Sequence, residues 1–278
     1  MSSSIKKIPS AQIDATRLKG EFRQELYNII DWWSMNMVDE KNGGFFGRMD
    51  GHGRLYPEAD KGVILNTRLL WTYSAVARAT GSNLHHQLAH RAYNYFCEYF
   101  WDDLEGGVFW TVDYLGNPVD TQKQVYAQSF SIYALAEYFS LTQKRAVLEQ
   151  AEEIFWLIEK YSFDRKKNGY LSAFARDWSP MDDIRVSEKD ANEAKIMNTH
   201  LHLLEAYTNL FRVHPFAALR EALGNIIGLI LDRFYLPETG SLQIYFDENW
   251  APKGQDISFG HNVEASWLLW EAAEAPPG

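Results

Sequence analysis

Four short stretches of this chain repeat one another, and the repetition restricts the possible folds more than any single motif does. They are Asn42-Gly43-Gly44-Phe45-Phe46-Gly47-Arg48, Glu105-Gly106-Gly107-Val108-Phe109-Trp110-Thr111, Asn168-Gly169-Tyr170-Leu171-Ser172-Ala173 and Thr239-Gly240-Ser241-Leu242-Gln243-Ile244-Tyr245. Each sets glycine before an apolar or aromatic run, and each run leads into a turn such as Asp50-Gly51 or Gly116-Asn117-Pro118. The pattern predicts a short β-hairpin returning every roughly 60 to 70 residues. Helical periodicity flanks every hairpin, before it at 14–37, 84–102, 144–162 and 216–234, and after it at 62–80, 124–140, 194–213 and 261–274. A lone helix pair cannot bury its apolar stripe, so the units must stack, and alternating outer and inner helices give an α/α toroid. The expected fold is all-α, of the (α/α)6-barrel type but incomplete, with about four helix pairs and short hairpins at one end. No shift of composition marks a boundary, so 1–278 reads as a single domain.

Composition narrows the function. Hydrophobic residues make up 46% of the 278 residues, enough for a core, and the 10 Trp and 15 Tyr suit stacking against sugar rings. A net charge of −10, with no basic run, excludes a nucleic-acid footprint. The single cysteine, Cys97, sits in an aromatic run and reads as a buried structural thiol. No signal peptide or membrane-spanning segment is apparent, so a soluble cytoplasmic protein is expected. The longest loop-like stretch, 177–192, carries Asp182, Asp183, Arg185, Glu188, Lys189 and Asp190, and reads as a solvated loop or a rim over a central cavity.

If the inner helices start around one pocket, their first turns supply its polar groups. The first offers Asn66 and Arg68, the second Tyr126 and Gln128, the third Asn198, His200 and His202, and the fourth His261 and Glu264. Arg68 among apolar neighbours reads as a buried guanidinium in need of a partner. His200 and His202 point about 200° apart on a helix and cannot chelate one ion together, so no metal is expected. Asn198 and His202, four apart, share a face, which makes His202 the pocket residue and His200 a structural hydrogen-bonder. In the last helix Gly260 reads as a break, with the helix starting near His261 and burying Val263, Trp267 and Trp270 on one face. His261 and Glu264, three apart in its first turn, form a proton-transfer pair.

Three runs carry a resemblance: Lys123-Gln124-Val125-Tyr126-Ala127-Gln128-Ser129-Phe130, Met197-Asn198-Thr199-His200-Leu201-His202 and Phe259-Gly260-His261-Asn262-Val263-Glu264-Ala265-Ser266-Trp267-Leu268-Leu269. They resemble the cellobiose branch of the N-acylglucosamine 2-epimerase superfamily, over essentially 18–274. The resemblance implies an (α/α)6 barrel that inverts carbon 2 of the reducing-end glucose of cellobiose and related β-1,4-linked disaccharides, without a cofactor. It implies that Arg68, Tyr126, Asn198 and His202 hold the sugar and its enediolate, with His202 also counted among the catalytic groups. On the same resemblance His261 is the general acid/base and Glu264 supports it. Two departures stand out: Asn262 replaces the family's usual Asp, and the chain stops before the family's second histidine and its distal tryptophans. An impaired sugar-binding fragment, or an N-acylglucosamine 2-epimerase or mannose isomerase type of activity, are the competing readings. A toroid glycosidase is weaker, since Glu264 lacks a carboxylate mate. Opening the ring after four pairs would expose apolar sides, so self-association is expected.

Overall fold

The computed structural model describes residues 14–185 and 191–275. Residues 1–13, where a signal peptide would begin, and Glu188, Lys189 and Asp190 of the long connection lie outside the described residues. The described helices are α1 (Ala15–Asn36), α2 (Val63–Thr80), α3 (Asn83–Tyr95), α4 (Val125–Thr142), α5 (Arg145–Tyr161), α6 (Met197–Val213), α7 (Ala217–Leu229) and α8 (Phe259–Glu274). Single π-helical turns, Phe96–Phe100 and Ile230–Phe234, prolong α3 and α7.

Tight links fold these helices into antiparallel pairs. Gly81 closes α2 in the left-handed region, and the Ser82 side chain at once caps α3 by accepting from the His85 N–H. α2, α4, α6 and α8 pack side by side as the inner layer, with α3, α5 and α7 behind them. α1 joins the outer layer through buried Ile30 and a 3.2 Å hydrogen bond between Ser34 and Tyr73. α4 is covered on nearly every side, which is why Val125, Phe130, Ile132, Leu135 and Tyr138 leave it no polar face. The result is an α/α-toroid arc with one apolar cluster running from Ile30 to Ala275.

The glycine repeats sit at the turns of short antiparallel pairings, as expected: Val38 with Phe45, Trp101 with Val108, Phe163 with Tyr170, and Tyr235–Leu236 with Ser241–Leu242. Further hairpins follow in the second unit (Thr111–Val112 with Pro118–Asp120) and the fourth (Tyr245–Phe246 with Pro252–Lys253). More consistently, the two residues ahead of an inner helix pair with the next unit's extended segment: Lys61–Gly62 with Thr111–Val112, Lys123–Gln124 with Ala173–Phe174, and Lys195–Ile196 with Tyr245–Phe246. Backbone ladders thus stitch unit to unit. The glycines allow close approach: at Gly107, with φ +71°, a Cβ would sit 2.7 Å from Gln128 Oε1.

Two side-chain contacts recur with the repeat. An aspartate just past an outer helix is bridged to the lysine two residues before the following inner helix: Asp39–Lys61 at 2.9 Å, Asp102–Lys123 at 2.8 Å and Asp164–Lys195 at 3.0 Å. Burial alone would raise Asp102, but hydrogen bonds from Arg176 and Lys123 outweigh it and hold its carboxyl well below the usual range. Further along, the fourth residue of an inner helix accepts a hairpin N–H: Gln128 from Val108 at 3.0 Å, His200 from Tyr170 at 3.0 Å and Asn262 from Leu242 at 3.0 Å. Asn66 holds the same place in α2 and donates to Gly62 O. Asn66 and Gln128, expected in the pocket, therefore face the hairpins.

α8 corrects the expected helix start and buried face. It begins at Phe259, because the Ser258 hydroxyl accepts the His261 N–H and supplies the cap two residues earlier. Ala265, Leu268 and Ala272 form its buried side, while Val263, Trp267 and Trp270 are 72%, 60% and 61% exposed. Cys97 is half-buried against Gln150, and burial pushes its thiol up.

Candidate active site

Helical geometry decides which side chains meet. The sixth residue of each inner helix is Arg68, Phe130, His202 or Glu264, and all four line one cavity of about 310 Å³. Trp71, Tyr133 and Glu205, one turn further along their helices, complete its walls. Tyr126 and Asn198 lie one turn earlier on the same faces of α4 and α6. Three larger clefts, of about 490, 520 and 330 Å³, open beside Tyr56, beneath Phe174 and between Trp156 and Asn225, and none is lined by an inner helix. Of the described residues of the long connection, Pro180, Met181 and Ile184 border the second of these and none borders the 310 Å³ cavity; Asn192 accepts from the Ile184 N–H and donates to Asp182 O.

Arg68 is exposed toward the cavity rather than buried. Its guanidinium lies 4.6 Å from the Phe130 ring centre and donates to the Tyr126 hydroxyl at 3.4 Å. Burial raises the Tyr126 phenol, Arg68 acting in the opposite sense, so Tyr126 keeps its proton and stays a donor. Across the aromatic wall, His202 meets Tyr126 and Phe130 at 4.8 and 4.7 Å between ring centres. His202 Nδ1 lies 3.0 Å from Glu205 Oε2, so in the neutral ring Nδ1 carries the proton and donates to the carboxylate. Glu205 escaped the sequence reading, although its place three residues after His202 was the available signal. It also gives Glu264 the neighbouring carboxylate that seemed missing, but one already engaged by an imidazole.

His261 sits one turn before Glu264. Its Nε2 lies 3.1 Å from Asn198 Oδ1 and its Nδ1 2.7 Å from Ser258 Oγ. α6 and α8 are thereby joined at the site by the two residues expected to face the sugar. His200, by contrast, is wholly enclosed: Nδ1 donates to Ile196 O at 2.8 Å and Nε2 accepts from the Tyr170 N–H. Burial pushes it down to about 4, so it is neutral. Among the described residues no group of three His, Cys, Asp or Glu side chains is placed to hold a metal ion.

Comparison with known proteins shows the family and the fold. The chain is 49% identical over 257 residues to the cellobiose 2-epimerase of Bacteroides fragilis, covering 92% of this chain and 66% of that protein. It is 35% identical over 261 residues to the cellobiose 2-epimerase of Dictyoglomus turgidum, covering 94% of this chain and again 66% of the relative. The chain thus spans slightly less than two thirds of these curated relatives. The solved cellobiose 2-epimerase of Bacillus thermoamylovorans superposes with a TM-score of 0.90 at 37% identity, covering 94% of this chain and 67% of that one. A D-mannose isomerase at 18% identity shares the fold, with a TM-score of 0.79. The family model described as N-acylglucosamine 2-epimerase (GlcNAc 2-epimerase) matches residues 44–276, and the chain belongs to that family.

Proposed function

We propose that the chain epimerises the reducing-end glucose of cellobiose and related β-1,4-linked disaccharides at carbon 2, through an enediolate and without a cofactor. The observation that carries this reading is the convergence of Arg68, His202 and Glu264 from three inner helices on one cavity, with His261 one turn before Glu264. A proton beside an open-chain aldehyde is weakly acidic, so its removal needs a base and donors fixed where negative charge develops. His261 takes that proton on Nε2. Arg68, always charged, and the Tyr126 hydroxyl hold the enediolate oxygens. His202, its Nδ1–H held by Glu205, turns Nε2 to the sugar and, entering the step as the imidazolium, returns the Nε2 proton from the opposite face and is left neutral. Glu264 lines the cavity one turn after His261 and supports it there.

Incubating cellobiose with the chain and resolving the products by chromatography tests the proposal. Glucosyl-mannose should appear, and His261→Ala should slow its formation by about a hundredfold to ten-thousandfold. Cellobiose that binds and is recovered unchanged would favour the sugar-binding reading instead.

A further inference from the structure

We infer that Ser258 is a positioning residue for His261: its hydroxyl is a reversible partner that lets one imidazole act as base in one direction of the reaction and as acid in the other. This rests on the catalytic reading of His261 above. Ser258 Oγ caps α8 by accepting from the His261 N–H at 3.4 Å, and it stands 2.7 Å from Nδ1 of the same residue. Nε2, on the other side of the ring, faces Asn198 Oδ1 at 3.1 Å. An amide oxygen only accepts, so in this state Nε2 holds the proton and Nδ1 accepts from the Ser258 O–H.

That tautomer offers no lone pair at Nε2. To act as a base, His261 must carry its proton on Nδ1, and the group facing Nδ1 must change from donor to acceptor. A hydroxyl makes that change by rotating about its C–O bond. When the carbon 2 proton then moves to Nε2, the ring becomes a cation whose Nδ1–H still donates to Ser258 Oγ. In the reverse reaction the same imidazolium delivers that proton to the enediolate on the face from which it was taken, and the ring returns to neutrality. An ionised carboxylate would only accept and would hold Nδ1–H throughout, and a methyl group would do neither. The residues ahead of the other inner helices, Gly62, Gln124 and Ile196, make no side-chain cap, so this contact is confined to the inner helix that carries His261. Asn198 completes the device by occupying Nε2 until a sugar displaces it.

Nitrogen-15 NMR of the histidine-labelled chain, at a pH where the ring is neutral, reads the tautomer without turnover; His261→Gln identifies the resonance. The sugar-free chain should show the Nε2–H form. Ser258→Asp keeps the cap, since Asp caps as well as Ser, and should convert His261 to the Nδ1–H form. Ser258→Thr should preserve the original tautomer and keep the carbon 2 exchange rate within about twofold, while Ser258→Ala should give a tautomer mixture and a rate on the order of tenfold lower. An unchanged tautomer in Ser258→Asp, or an unchanged tautomer and rate in Ser258→Ala, would overturn the assignment. Failure of the catalytic reading would show separately, as exchange that survives His261→Ala.

Discussion

His200 and His202 stand two residues apart on α6, and helical rotation sends them to opposite fates. His200 is enclosed and lowered from 6.5 to about 4 by burial, so the unfolded chain binds the extra proton first. Its contribution is fully present above pH 6.5 and is lost as the pH falls toward 4, on the order of 3 kcal/mol in total. Denaturation midpoints measured above and within that window should fall more steeply for the native chain than for His200→Gln, which keeps an acceptor without titrating. Equal slopes would contradict the buried neutral assignment. Arg68 belongs to the other class: it is exposed to the cavity, so Arg68→Ala should leave the melting temperature nearly unchanged while lowering kcat/KM by about a hundredfold to a thousandfold. Polar residues at apolar-looking positions made most of the cavity legible from sequence. Asn66 and Gln128 were misplaced because two positions on a helix amount to about 200°, and a helix start must be known before facing can be assigned.

Among the secondary-structure elements, the buried Asp–Lys pairs tie each outer-helix end to the following inner-helix start. Asp39 and Lys61 are both fully enclosed, so Lys61→Met leaves a buried carboxylate unpaired and should cost about 3 to 5 kcal/mol. Adding Asp39→Leu to that variant should restore part of the loss, since apolar replacement of both partners is tolerated better. In the fourth unit Leu236 and Ile257 stand at the corresponding sequence places, and Ile257 is exposed, so no buried pair forms there. Urea unfolding of the two variants decides the matter, and a double variant no more stable than the single would refute the pairing. The helices themselves were readable from 3.6-residue periodicity and glycine punctuation. These ion pairs were not, because partners 22, 21 and 31 residues apart leave no local pattern. In α8 the large residues misled: Trp267 and Trp270 suggested the buried face, whereas Ala265 and Leu268 fit against α6.

Across the molecule, four stacked pairs place one concave inner layer around the cavity and leave the flanking faces of the arc open. α1 exposes Phe22, Trp32 and Met35, and α8 exposes Phe259, Val263 and Trp267. Apolar patches of this kind bind hydrophobic dyes and favour association, so the chain should bind such a dye and sediment faster as concentration rises. A concentration-independent monomer without dye binding would contradict this. No described helix is long and apolar enough to cross a membrane. On the proposed reading, the inner-helix faces form a site where His261 removes the carbon 2 proton of a reducing sugar. Cellobiose incubated with the chain in heavy water and followed by NMR at carbon 2 decides this. Deuterium should enter at carbon 2 and vanish with His261→Ala. Cellobiose that remains undeuterated, or exchange that persists in His261→Ala, would contradict the account.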